Sequence, residues 1–218
     1  VPVIALLRHG QASFGTDDYD RLSDLGRIQA EVAGQELARR GLRSPVLVSG
    51  SLLRQRHTAA IAGAVLDVEP TVVDPRFDEF DAHAAVEAHL GRAGATEGMS
   101  SREFQSHLDV VMAEWMVAGD VRWQAFVDGA MAALADVAAG LPSGCDAVVT
   151  TSAGVTAAIT GRLLGADPEG VVALNRVSVN ASITTVVSGS RGLSLVTFND
   201  HAHILGATAD GIPLLTNR

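Results

Sequence analysis

The run Val3-Ile4-Ala5-Leu6-Leu7 passes directly into Arg8-His9-Gly10. A short, unbroken apolar stretch of this kind reads as a buried strand that delivers polar groups at its carboxyl end. Downstream, Ser23 is placed to cap a helix running through Ala30 and Leu37, with Gly41 as its stop. The opening is therefore strand, loop, helix. Val46-Leu47-Val48 repeats the pattern, followed by Ser49-Gly50-Ser51 and a helical stretch carrying Ala59, Ala60, Ile61 and Val65. Thr71-Val72-Val73 is a third short strand.

From Ala82 to Gly140 the spacing is helical, broken near Gly91 to Ser100 and at Gly119-Asp120, with Trp115 and Trp123 as expected core anchors. Ala147-Val148-Val149-Thr150 returns to strand character and Ala153 to Leu164 reads as the next helix. Ser182 to Val187 and Leu193 to Phe198 are β-rich runs around Ser188-Gly189-Ser190-Arg191-Gly192, an antiparallel hairpin. Strand-helix alternation closed by a hairpin predicts a three-layer α/β/α sandwich with a mostly parallel mixed sheet. We expect a single domain over residues 1–218 with a helical insertion around 82–140.

Composition narrows the function. The chain has 218 residues, 47% hydrophobic and 19% charged, enough to bury a substantial core. Its net charge of -9 at pH 7 argues against a nucleic-acid surface, which needs many phosphate-neutralising cations. No basic-then-apolar leader opens the sequence and no apolar run approaches the roughly 20 residues that span a bilayer, so no membrane partner is expected. One cysteine, Cys145, excludes an intramolecular disulfide framework and points to the cytoplasm. All 16 basic side chains counted as Lys or Arg are Arg, which excludes lysine-based chemistry. That bias also follows simply from a GC-rich genome.

Ligands of open α/β sheets gather beyond the carboxyl ends of strands. Four places qualify: Arg8-His9-Gly10, the stretch around Arg54, Phe77-Asp78-Glu79, and Thr151-Ser152-Ala153-Gly154. A neutral imidazole is nucleophilic, an adjacent guanidinium can fork onto phosphoryl oxygens, and Gly10 would let the backbone approach a phosphate. Arg-His-Gly alone equally describes a hydrogen-bonded histidine at a strand end.

Leu7-Arg8-His9-Gly10-Gln11-Ala12-Ser13, followed by Leu22-Ser23-Asp24-Leu25-Gly26-Arg27-Ile28-Gln29-Ala30, resembles the opening of the histidine phosphatase (phosphoglycerate-mutase-like) superfamily. Ser51-Leu52-Leu53-Arg54-Gln55-Arg56-His57-Thr58-Ala59 is similar to its second block. The resemblance implies that Arg8 and Arg54 clamp a phosphoryl group which His9 accepts as phosphohistidine, and that Glu79, in Asp74-Pro75-Arg76-Phe77-Asp78-Glu79-Phe80-Asp81, protonates the leaving oxygen. Crowding by Asp78 and Asp81, or burial, would raise its pKa. Arg56 is expected at the surface. Gln11, Ser13, Ser152 and Ala153 are the remaining phosphate-binding candidates.

Two departures stand out. The family usually has a second His where this chain has Ser152, and often a phosphate-contacting Asn where it has Gly15. A serine hydroxyl brings no positive charge and no useful base, so His203, after the last strand, becomes a pocket-wall candidate. His201-x-His203 also invites a metal reading, but no third ligand stands at recognisable spacing, so neither metal nor cofactor is expected. His57, His83, His89 and His107 fall on helix-like stretches and read as surface or capping residues. Ser152 as an elbow nucleophile would want Gly where Thr150 stands. The expected activity is hydrolysis of a small phosphate ester through phosphohistidine at His9. Its rivals are a phosphate-binding pseudoenzyme and mutase-type transfer. Only Arg92 and Arg102 lie between Glu79 and Trp115, without the Arg-rich cluster the resemblance would require for a mutase. Oligomeric state is left open.

Overall fold

The computed structural model describes residues 1–13 and 20–217. In chain order these hold β1 (Val3–Arg8), α1 (Asp24–Arg39), β2 (Val46–Ser49), α2 (Leu53–Leu66), β3 (Pro70–Val73) and a short 3-10 turn at Pro75–Phe77. Then follow α3 (Ala82–Leu90), α4 (Ser101–Ala118), α5 (Val121–Gly140), β4 (Ala147–Thr151), α6 (Ala153–Leu164) and α7 (Pro168–Val177). The chain closes with β5 (Ile183–Gly189), β6 (Gly192–Asp200) and a small pair, β7 (Thr208–Ala209) with β8 (Ile212–Pro213).

The described strands form a six-stranded sheet in the order β3-β2-β4-β1-β5-β6. β1 to β4 are mutually parallel, β5 is antiparallel to β1, and β6 is antiparallel to β5. β1 is apolar throughout because both its faces are covered. Ile4 and Leu6 enter a core with Ala130 and Leu134 of α5 and Val155 and Ile159 of α6. Ala5 and Leu7 enter another with Ala33 and Leu37 of α1 and Ala59 and Ala62 of α2. Two helical layers around a mixed sheet are the expected sandwich.

Within residues 82–140, α5 belongs to the sandwich itself, while Val86 of α3 and Leu108, Val111 and Met112 of α4 share a separate core with Val171 and Val172 of α7. Trp123 anchors that core, at 7% exposure. Trp115 packs against the same core from its edge. It is half-buried, with the Arg122 guanidinium 4.8 Å from its ring centroid.

The connection leaving β1 travels to β2, and the one leaving β4 travels past β1 to β5. Adjacent strands whose connections depart in opposite directions open a crevice at their carboxyl ends. Arg8 and Thr151 sit opposite each other in that register, which places His9 and Ser152 at the crevice.

Candidate active site

His9 is fixed from both sides of the sheet. Its N–H donates to the Thr151 carbonyl at 2.9 Å, and its carbonyl accepts from the Ala181 N–H at 3.2 Å. The residue is 7% exposed. Nδ1 lies 2.7 Å from the Gly10 carbonyl. A carbonyl only accepts, so Nδ1 carries the proton and Nε2 keeps its lone pair. Arg54 Nε donates to that Nε2 at 3.2 Å. Burial first, then the charges of Arg54 and Arg8, hold the imidazole pKa well below its ordinary value. The result is a neutral imidazole at neutral pH, with a lone pair on Nε2.

Gly10 is required by a close packing contact within the protein. A Cβ there would stand 2.2 Å from the Gly26 carbonyl oxygen, and one on Gly26 would stand 2.1 Å from the Gln11 carbonyl oxygen. The pair brings the first turn of α1 against the loop after β1. Ser23 caps that turn, accepting from the Gly26 N–H at 3.0 Å.

Arg54 enters from the first turn of α2. Its Nη1 reaches Asp20 Oδ1 at 2.6 Å, and Asp20 Oδ2 accepts from the Leu53 N–H at 2.7 Å. One carboxylate therefore caps α2 and orients the guanidinium, a role not apparent in the sequence. Arg8 continues out of β1, with Nη1 donating to the Ser178 carbonyl at 2.5 Å. Arg56 is exposed, as expected.

Glu79 follows the turn after β3. Oε2 accepts from the Gly154 N–H at 2.9 Å, at the start of α6. Oε1 is buried without a hydrogen-bond partner. Burial pushes this carboxyl above its ordinary pKa, against the opposing pull of the Gly154 amide and the charges of Arg54 and Arg8. The neighbouring acids are not the cause. Asp78 accepts from the Ser51 N–H and hydroxyl, and Asp81 caps α3 through the Ala84 N–H at 2.9 Å.

Arg8, His9, Arg54, Glu79 and Ala153 line one cavity of about 390 Å³. A neutral imidazole, two guanidinium groups and a carboxyl biased toward its acid form thus share one space. That set suits phosphoryl transfer.

The sequence model of the histidine phosphatase superfamily (branch 1) matches residues 4–201. The chain belongs to this superfamily. No curated protein sequence matches it. A phosphoserine phosphatase mutant from Entamoeba histolytica, solved with phosphoserine, is similar at 19% identity and TM-score 0.68, over 94% of this chain and 100% of that one. Mycobacterial glucosyl-3-phosphoglycerate phosphatase, solved with VO3, is similar at 22% identity and TM-score 0.66, over 92% and 100%. A Mycobacterium tuberculosis open reading frame product gives 22% identity and TM-score 0.63, over 91% and 97%. At these identities the structures share the fold.

Several residues that the superfamily resemblance singled out do not reach the cavity. Ser152 is 0% exposed, and its hydroxyl accepts from Gln55 Nε2 at 2.9 Å behind the wall formed by Ala153. It does not cap α6 with its side chain. Gln11 is tied to α1, its Oε1 accepting from the Ser23 hydroxyl at 3.0 Å, and the Ser13 N–H donates to the Arg21 carbonyl at 2.7 Å. Neither lines the cavity, whereas Ala12 between them does. His203 does not wall it either. Its Nε2 donates to the Ala181 carbonyl at 3.0 Å, and Glu36, Arg40 and Asp200 supply the charges around it. His201 turns instead to the Asn199 carbonyl at 2.6 Å. Among the described residues no three His, Cys, Asp or Glu side chains cluster as metal ligands, and no described helix is long and apolar enough to cross a membrane. Gly15 lies outside the described residues.

Other lining residues escaped the sequence reading. His83 is exposed, as expected of a helix surface, yet its ring lies 4.6 Å from that of Phe104 at the cavity wall. Asn175 and Arg176 arrive on α7, a helix whose start was legible in Asp167-Pro168, an N-cap acid before a first-turn proline. Asn217 completes that side.

Proposed function

We propose that this histidine phosphatase superfamily member hydrolyses a small phosphate monoester through a phosphohistidine at His9, without a metal ion. The observation that carries the reading is the pair of His9 ring contacts: Nδ1 against the Gly10 carbonyl, which calls for Nδ1–H, and Nε2 facing the Arg54 Nε–H, which calls for a lone pair there. In the first step Nε2 bonds to phosphorus as the ester P–O bond breaks, and the Glu79 proton passes to the leaving oxygen. The Gly10 carbonyl then stabilises the Nδ1–H of the charged ring. In the second step water bonds to phosphorus, the P–N bond breaks, and Glu79 takes the water proton. Arg8 and Arg54 gather the phosphoryl oxygens throughout. The phosphatases among the similar structures support hydrolysis over transfer, and the single cysteine supports a cytoplasmic setting.

Rapid quench with a labelled phosphate ester tests the reading. Label should be trapped as acid-labile, base-stable phosphate and vanish in His9→Ala. Absence of both label and turnover across a broad ester panel would identify a phosphate-binding pseudoenzyme. Phosphate moving between hydroxyls only when a bisphosphorylated activator is added would identify a mutase.

A further inference from the structure

We infer that the alcohol released from the substrate is uncharged and carries a ring-sized apolar group, because the cavity beyond His9 is walled by Phe80, Met99, Phe104 and Leu108. This rests on the phosphomonoester reading above and specifies its substrate class.

The apolar wall is built rather than incidental. Phe80 is held edge-on by Trp115 and Phe126, with ring centroids 5.8 and 5.3 Å away. Phe104 is flanked by the His83 ring at 4.6 Å, and Leu108 is buried in the core shared by α3, α4 and α7. Rings fixed by packing present a preformed surface, on which a bound ring loses little further freedom. The cavity, at about 390 Å³, falls within the roughly 300–1,000 Å³ typical of small-molecule sites. It accommodates a phosphate and a ring together.

Charge on this side is already matched. Arg176, the lining cation away from His9, pairs with Asp109 at 2.7 Å, and Gln105 Nε2 donates to the same carboxylate at 2.6 Å. Arg92 and Arg102 of the helical stretch are exposed and do not line the cavity. Glu79 lines it and adds an acid. A leaving group bearing a carboxylate, such as a phosphorylated hydroxy acid or amino acid, would meet the polar side chains of Gln105, Asn175 and Asn217 and an Arg176 already paired with Asp109, and would otherwise be desolvated against the apolar wall, which opposes binding. A ring set against Phe104 and Leu108 exchanges water contact for apolar contact, which favours it.

The test compares three esters of primary alcohols on the intact protein: 3-phenylpropyl phosphate, ethyl phosphate and 3-phosphoglycerate. The phenylpropyl ester should lead the other two in kcat/KM by about tenfold or more, and Phe104→Ala should narrow that lead. Binding of 4-phenylbutylphosphonate, propylphosphonate and 4-phosphonobutanoate, measured by calorimetry, reads the same preference without chemistry and without a variant. If no ester turns over but the phenyl phosphonate still binds tightest, the ligand class stands and the hydrolase reading falls. Equal binding of the phosphonates, or a preference for the carboxylate, overturns the inference, while turnover of any ester preserves the hydrolase reading.

Discussion

Arg54 Nε lies 3.2 Å from Nε2 of His9, so the guanidinium meets the imidazole at the atom that the proposed mechanism makes the phosphoryl acceptor. The contact adds to burial in keeping His9 unprotonated in the free protein and, in the proposed mechanism, becomes a clamp on phosphoryl oxygens once the ring is modified. Replacing Arg54 with Gln removes both effects. Loss of a charged donor at a developing charge typically costs about 10²–10³ in rate, and steady-state kcat/KM for Arg54→Gln should fall within that range. Activity within threefold of wild type would show that Arg54 only packs.

Burial and the neighbouring charges together set the pH dependence. In the proposed mechanism turnover needs neutral His9 and protonated Glu79, whose pKa values are displaced downward from 6.5 and upward from 4.5 respectively. The acid limb of kcat/KM therefore belongs to His9 and lies below pH 6.5, while activity declines as rising pH ionises Glu79. Arg54→Gln should move the acid limb upward, and Glu79→Gln should abolish the basic limb. The Gln variant should lose about 10²–10⁴ in rate on alkyl esters and much less on p-nitrophenyl phosphate, whose leaving group needs no proton.

Stability follows the opposite signs of the two groups. Below pH 6.5 the unfolded chain protonates His9 more readily than the folded one, so stability falls as pH drops from 6.5 toward the folded pKa. Above pH 4.5 the unfolded chain ionises Glu79 while the folded one resists, so stability falls as pH rises toward the folded pKa. Glu79→Gln should accordingly unfold at a higher temperature than wild type at pH 7. A lower melting temperature there would mean that the ionised carboxylate stabilises the fold.

How much of this was legible depended on the range of the interaction. The strand Val3–Arg8, the Ser23 cap and the helix Ala153–Leu164 are set by local apolar runs and capping residues, and the chain folds them as read. The breaks at Gly91 and Gly119 were legible because both end helices in the left-handed conformation, φ 67° and 63°. The site was legible only as far as motif and position carried it. Ser152 sits where a ligand group was expected, yet Gln55, 97 positions away in sequence, claims its hydroxyl. Asp20 belongs to the site through Arg54, 34 positions away. Such pairings are created by the sheet order, which no local pattern states.

Asp20 is a positioning residue: it touches Arg54 and the α2 amide of Leu53, not the cavity. Asp20→Asn retains an acceptor for the amide but removes the charge that aligns the guanidinium. Loss of optimal capping should lower stability by about 1 kcal/mol or less. Misalignment of a clamp near the chemistry should lower kcat more, by roughly tenfold or above, with the acid limb of the pH profile also moving. Denaturation midpoints and the profile together separate the two roles, since a purely structural residue would change the midpoint alone.

Ser152→Ala addresses the space left without an imidazole. The Ser152 hydroxyl is sealed from the cavity and serves as acceptor for Gln55 Nε2, which also donates to the Phe77 carbonyl at 2.9 Å. Truncation leaves one buried amide N–H short of an acceptor, so the expected cost is about 1–3 kcal/mol of folding stability. Phosphate affinity and kcat should stay within about twofold of wild type, because Ala153 rather than Ser152 forms the wall. Inorganic phosphate inhibition constants, measured beside urea unfolding, decide the matter. A large rise in the inhibition constant with unchanged stability would mean that the hydroxyl turns to the phosphate when it binds, and that Ser152 takes over part of the absent histidine's role.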